Sequence, residues 1–169
     1  VTGVQTCALP IFWFRRDLRL TDNPALLAAF DEADEVIPLF IMDDTIAERA
    51  GEHRRAYLAA SLHALNESIG GALHVISGEP VEILSSLKKK YGADSIHSAL
   101  PYAPYGNDVD ARLKKACIEL TQVGSGYAVA PGRVTKDDGT NYRVYTPFYR
   151  AWLAHGWRAP VAAPKNSTW

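Results

Sequence analysis

The stretch Glu35 to Met42, EVIPLFIM, does most to limit how this chain can fold. Its apolar side chains run almost without interruption, so a strand formed here turns both faces to apolar neighbours. Such a strand belongs inside a parallel sheet with helices on either side. Pro38 is a blemish in it, because proline brings no N–H to a ladder. Asp43-Asp44 close the run.

The flanking segments alternate as that sheet requires. Leu9 to Phe14 reads as a first strand and Pro24 to about Asp31 as a helix. Glu52 to Ile69 is the clearest helix, with Leu58, Leu62, Leu65 and Ile69 on one stripe and Gly70-Gly71 ending it. Ala72 to Ser77 reads as a third strand. A helix carrying Val81, Leu84, Leu87 and Tyr91 follows, stopped by Gly92. Asp94 to Leu100 is a fourth strand, Pro101 to Asn107 a loop and Asp108 to Ala116 a helix. Ile118 to Val123 fits either a continuation of that helix or a fifth strand, and the alternation favours the strand. Gly126 to Gly139 is irregular, Tyr142 to Trp152 reads as a short extended piece and a helical turn, and Ala159 to Trp169 as linker. The expected architecture is a Rossmann-like, three-layer α/β/α fold with a five-stranded parallel sheet in the order 3-2-1-4-5.

Composition narrows the function. At 169 residues, 47% apolar and 22% charged, the chain is one globular domain with a real core. No apolar run reaches the roughly 18–20 residues that cross a bilayer. Cys7 and Cys117 supply neither a disulfide framework nor a metal spacing, so a reducing cytoplasm is the expected compartment. A net charge of −1 argues against a domain that grips DNA unaided. Lys88-Lys89-Lys90 reads as a solvated helix end, where cations offset the helix dipole. The five histidines are scattered and read as surface or satisfied core residues. No glycine-rich phosphate loop follows the first strand, and no G-x-S-x-G or H-E-x-x-H pattern occurs.

The chemistry concentrates in Ile11 to Leu27, IFWFRRDLRLTDNPALL. An apolar strand runs into Arg15-Arg16-Asp17-Leu18-Arg19, then into Asp22-Asn23-Pro24 at the head of a helix. Asp22 or Asn23 can cap that helix, and Pro24 suits its first position. Three arginines around one aspartate exceed what solvation requires. They lie at a strand's carboxyl end, where open α/β sheets bind ligands. Asp17 is expected to pair with one of them through bidentate hydrogen bonds.

Trp13 to Leu26, WFRRDLRLTDNPAL, resembles the opening signature of the DNA photolyase/cryptochrome family. Gly139 to Trp152, GTNYRVYTPFYRAW, is similar to the segment that ends the family's N-terminal domain. Pro104-Tyr105-Gly106, with Asp110 and Arg112, is a third matching block. The resemblance implies a non-native lead-in over residues 1–10, an α/β domain over 11–135, and the domain end with the start of an interdomain linker over 136–169.

It further implies the N-terminal portion of an enzyme that repairs pyrimidine dimers in DNA with light. In that family FAD sits in a larger helical C-terminal domain, which also takes up the damaged DNA. This portion alone is expected neither to hold FAD stably nor to repair, and the full-length protein is expected to be a monomer. The N-terminal domain holds a light-harvesting antenna, and the resemblance places Phe40, Asp43, Arg54 and Tyr105 at that site, with Phe14, Arg15 and Arg16 offering backbone groups from the loop after the first strand. Phe40 would pack on a ring, Asp43 accept from a ring N–H or hydroxyl, and Arg54 meet a carbonyl or acidic tail. Plain core packing is the competing role for Phe40 and Tyr105, and a helix cap for Asp43. Pro101 replaces an acidic residue of deazaflavin binders, and Asp108-Val109 the Asn-Glu pair of folate binders. A deazaflavin or flavin is therefore expected over folate, with an empty site as a third option. Asp17, Arg19, Asp22, Asn23, Tyr145 and Phe148 are expected to shape the domain or face its helical partner. A cryptochrome-type photoreceptor, a free-standing nucleotide- or flavin-binding module and a truncated frame without activity are the competing readings.

Overall fold

The computed structural model describes residues 9–165 and 167–169. Most of the stretch expected to be a lead-in therefore lies outside the described residues. The elements run β1 (Ile11–Phe14), α1 (Pro24–Glu32), β2 (Ile37–Met42), α2 (Asp44–Ala47), α3 (Glu52–Ser68), β3 (His74–Ser77), α4 (Pro80–Tyr91), β4 (Ile96–Leu100), α5 (Pro104–Lys115), β5 (Thr121–Ser125) and α6 (Tyr145–His155). The five strands form one parallel sheet in the order β3-β2-β1-β4-β5, as the alternation predicts.

Strand residues alternate between two cores. Ile11, Trp13, Ile37, Leu39 and Ile41 pack with Leu84 and Leu87 of α4 and Val109 and Leu113 of α5. Phe12, Phe14 and Phe40 pack with Ala25 and Leu26 of α1 and Leu62 and Leu65 of α3. Pro38 costs no ladder bond. Ile37 donates its N–H toward β1, to the Pro10 carbonyl at 2.9 Å. The next residue therefore faces β3, whose pairing begins only at Leu39.

Three boundaries differ from the sequence reading. α5 starts at Pro104 rather than Asp108. Tyr105, Gly106 and Asn107 look like turn residues, but Pro104 opens the helix and Gly106 lets it approach the preceding loop. A Cβ at Gly106 would lie 2.6 Å from Pro101 Cβ. β5 begins at Thr121, not Ile118. Cys117 adopts φ +58 and the Ile118 N–H returns to the Leu113 carbonyl at 3.0 Å. That closure ends α5 with an apolar residue just past the turn, so Ile118 mimics the start of a strand. Finally, Tyr145–His155 is a helix of 11 residues rather than a single turn.

The segment read as linker lies against the domain. Asp22 N–H donates to the Val161 carbonyl at 2.8 Å, and Val36 N–H to the Thr168 carbonyl at 3.1 Å. Trp169 meets Phe30 edge-on, with ring centroids 5.0 Å apart.

Candidate functional site

The sheet reverses direction of winding between β1 and β4, and the loops leaving their carboxyl ends flank that crevice. Arg15 is the first residue past β1 and, by strand alternation, shares a side with Trp13. Its guanidinium lies 4.4 Å from the Trp13 ring centroid. From there Nη1 donates to Asp110 Oδ1 at 2.8 Å and Nη2 to the Gly106 carbonyl at 3.3 Å. Gln122 of β5 donates to the other Asp110 oxygen at 2.7 Å. One charge pair thus ties β1, α5 and β5 together.

A second polar cluster sits beside it on the same side of the sheet. Asp43 caps α2, accepting the Thr45 N–H at 3.0 Å, and its other oxygen accepts the Tyr105 hydroxyl. Burial first, and then this bond to the carboxylate, push the Tyr105 phenol above its ordinary value of 10.0. Arg112 bridges Glu79 at 2.5 Å and Asp108 at 3.2 Å. The i, i+4 spacing of Asp108 and Arg112 was visible in the sequence. The partnerships with Glu79 and Gln122 were not.

The side chains matched to an antenna site lie on two sides of the sheet. Arg15, Asp43 and Tyr105 lie on the α4/α5 side, whereas Phe14 and Phe40 are buried beneath α1 and α3. Strand alternation requires the split: Phe40 and Asp43 are three positions apart and so point to opposite faces. Arg54 is exposed in the first turn of α3, and Arg16 is exposed in the loop. Two of the clefts among the described residues are lined by none of these side chains. One, of about 320 Å³, separates Leu18–Leu20 from α3. The other, of about 430 Å³, lies between α6 and the loop around Tyr127 to Val134.

Asp17 corrects an expectation. It forms no ion pair with an arginine among the described residues: Arg15 is committed to Asp110, and Arg19 lies 3.6 Å from Asp22. Asp17 is instead 8% exposed, and burial raises its carboxyl above the ordinary 3.8 against backbone N–H bonds and the charges of Arg19 and Arg15. The folded state therefore holds this proton more tightly than the unfolded chain. Its contribution to stability falls as pH rises from the ordinary value through the raised one. Asp17→Asn keeps an acceptor for the loop N–H groups without the charge. It is expected to be more stable than the parent at pH 7, the gap closing below pH about 4. Urea midpoints at both pH values check this; a variant less stable than the parent at pH 7 contradicts it.

Asn23, rather than Asp22, caps α1, accepting the Leu26 N–H at 3.3 Å. Asp22 stands at φ +53, a left-handed conformation that aspartate tolerates better than most residues. There it accepts from Arg158 at 2.6 Å and from the Val161 N–H at 3.3 Å. The hydrogen bond from Arg158 leads the interactions that lower its carboxyl pKa. Arg19 donates to the Asp22 carbonyl at 2.8 Å, which closes the loop on itself. At the opposite edge of the sheet, His97 is 2% exposed and bonds Glu32 at 2.7 Å. The partners are 65 positions apart, a separation no local pattern reports.

A family model described as DNA photolyase matches residues 10–165. A deoxyribodipyrimidine photo-lyase from Synechococcus sp. is 35% identical over 93% of this chain and 34% of its own length. One from Streptomyces griseus is 35% identical over 94% of this chain and 37% of its own. Among solved structures, a bacterial class III photolyase from Agrobacterium tumefaciens superposes with a TM-score of 0.85 at 33% identity, covering 99% of this chain and 36% of that one. An archaeal photolyase from Sulfolobus tokodaii, solved with two FAD molecules and implying a novel light-harvesting cofactor, gives 0.78 at 30% identity, over 91% and 36%. The chain thus spans about a third of the length of these relatives. With the family pattern running through nearly every described residue, this chain belongs to the DNA photolyase family.

Proposed function

We propose that this chain is the N-terminal, antenna-holding portion of a deoxyribodipyrimidine photolyase that splits pyrimidine dimers in DNA under light. The match over residues 10–165 carries the reading. In this reading FAD and the damaged base belong to a helical domain outside these residues. The loop after β1 reads Arg15-Arg16-Asp17, with no glycine cradle for a dinucleotide phosphate. FAD, when bound, supplies the electron that opens the dimer. The full-length protein is expected to split dimers with FAD under blue light, and this chain with added FAD to remain at the protein-free rate. Repair by this chain alone overturns the division of labour; none by the full-length protein overturns the function.

The antenna, a deazaflavin or flavin in preference to folate, is assigned to the Asp43 end of the sheet. The fit is conditional, because both Asp43 oxygens are engaged and Tyr105 holds the place a ring donor would take. A chromophore therefore has to displace the Tyr105 hydroxyl. Tyr105→Phe frees that oxygen and is expected to bind a deazaflavin or FMN about tenfold more tightly, a gain worth one hydrogen bond. Absorbance titration with deazaflavin, FMN and folate measures it. Equal affinity of parent and variant for all three removes Asp43 from the site. Asp17, Arg19, Asp22 and Asn23 serve this reading by fixing the β1–α1 loop. Tyr145 and Phe148 serve it by facing the helical domain.

A further inference from the structure

Five of the seven lysines in this chain, Lys88, Lys89, Lys90, Lys114 and Lys115, sit in the last turns of α4 and α5. Both helices pack on the same side of the sheet. Each follows one parallel strand and leads back to the start of the next. Their carboxyl ends therefore share the amino edge of the sheet, away from Asp43 and Tyr105. Lys89, Lys90, Lys114 and Lys115 are exposed, and Lys88 is half-buried. The helix dipole favours cations here, and lysines often bond the last free carbonyls. Backbone closures already do part of that work. Ala93 donates to the Lys88 carbonyl at 3.0 Å, and Ala116, Cys117 and Ile118 close α5. The nearby carboxylates are also committed: Glu79 and Asp108 meet Arg112, and Asp110 meets Arg15. Among the described residues none of the five ammonium groups forms an ion pair, and Lys90 lies 4.8 Å from the Tyr91 ring centroid. Only Asp94 and Glu119 follow the two helices at this edge, two carboxylates against five cations.

We propose that this lysine cluster holds the phosphate backbone of double-stranded DNA, as an auxiliary contact at the amino edge of the sheet. The inference rests on reading the protein as one that acts on DNA. Lysine is a compact point charge on a flexible stem, suited to successive phosphates and blind to base sequence. The net charge of −1 permits this, because the contact adds to binding made elsewhere instead of replacing it. The chemistry of the patch selects the occupant. No large apolar side chain of α4 or α5 is exposed. The patch thus lacks the apolar centre of a protein interface and the wedge that enters a bilayer. A second copy docked patch to patch would bring like charges together, which costs affinity. Phosphates need neither apolar contact nor a shaped cleft, and the counterions they release supply the binding energy.

Binding of the full-length protein to undamaged duplex DNA over a range of salt tests this. Replacing all five lysines with glutamine is expected to make the fall of log K with log salt shallower by about 3, since each phosphate contact contributes about 0.9. Affinity at low salt should drop about tenfold or more, and arginine at the same five positions should restore both. Lys114→Gln with Lys115→Gln, a milder change, should make the slope shallower by about 1–2. An unchanged slope in both glutamine variants overturns the proposal. So does a loss as large at high salt as at low, or one that arginine leaves in place. Lysine-dependent binding to anionic vesicles, or lysine-dependent self-association, with DNA affinity unaltered, overturns it as well. Dimer splitting by the same preparations separates the two readings. Repair by the parent with lysine-independent DNA binding defeats the contact alone. Lysine-dependent DNA binding without repair by the parent defeats the function and leaves the contact standing.

Discussion

Phe40→Ala is expected to destabilise the chain by about 3–5 kcal/mol, the cost of emptying a large aromatic site in a packed core. The ring is 7% exposed and shares its cluster with Phe12, Phe14, Leu62 and Leu65. Phe12 and Phe14 meet edge-on beside it, centroids 4.6 Å apart, and neither can relax far without disturbing β1. A domain has about 5–15 kcal/mol in total, so the variant is expected to populate unfolded chain at room temperature. Phe40→Leu keeps most of the volume and should lose about 1–1.5 kcal/mol. Urea denaturation followed by far-ultraviolet circular dichroism measures both. The experiment also separates two roles for this residue. A ring contact to a chromophore would leave stability nearly unchanged on truncation and remove only ligand binding; a loss under 1 kcal/mol would return Phe40 to that role.

The second large effect is expected at Arg15. Its side chain and that of Asp110 are 12% and 21% exposed, so the pair is mostly withdrawn from water. Arg15→Met keeps the stem against Trp13 while stranding the carboxylate beside Gln122. Fully buried pairs lose about 3–5 kcal/mol when one partner goes, and residual solvent access reduces this to about 2–3 kcal/mol here. Asp110→Asn, which still accepts a hydrogen bond, should lose less. The double variant should show a coupling of about 1–2 kcal/mol. Additive single effects would mean that the two side chains do not act as a pair.

The layers of the fold were written locally. The buried run of β2, the apolar stripe of α3, Pro24 at a helix start and Gly92 at a helix end each report on neighbours within a few turns of chain. The same local chemistry misled at Ile118, where an apolar residue closing a helix looks like one opening a strand. It also missed α2, which has only four residues and no buried one.

The sequence by itself determined the α/β layering, the strand order and the family, because side-chain periodicity and a long charged signature survive without any knowledge of distant contacts. Only the tertiary structure decided who meets whom at the carboxyl edge. Arg15 and Asp110 are 95 positions apart, and Asp43 and Tyr105 are 62. Nothing near Arg15 distinguishes Asp17, the nearby carboxylate, from Asp110, the one it binds. The handed winding of the sheet brings α5 over β1, and Asp17, though buried, is left without an arginine partner among the described residues. The pleat likewise sends Phe40 into the core and Asp43 to the other side, a separation that residue types matched one by one do not reveal.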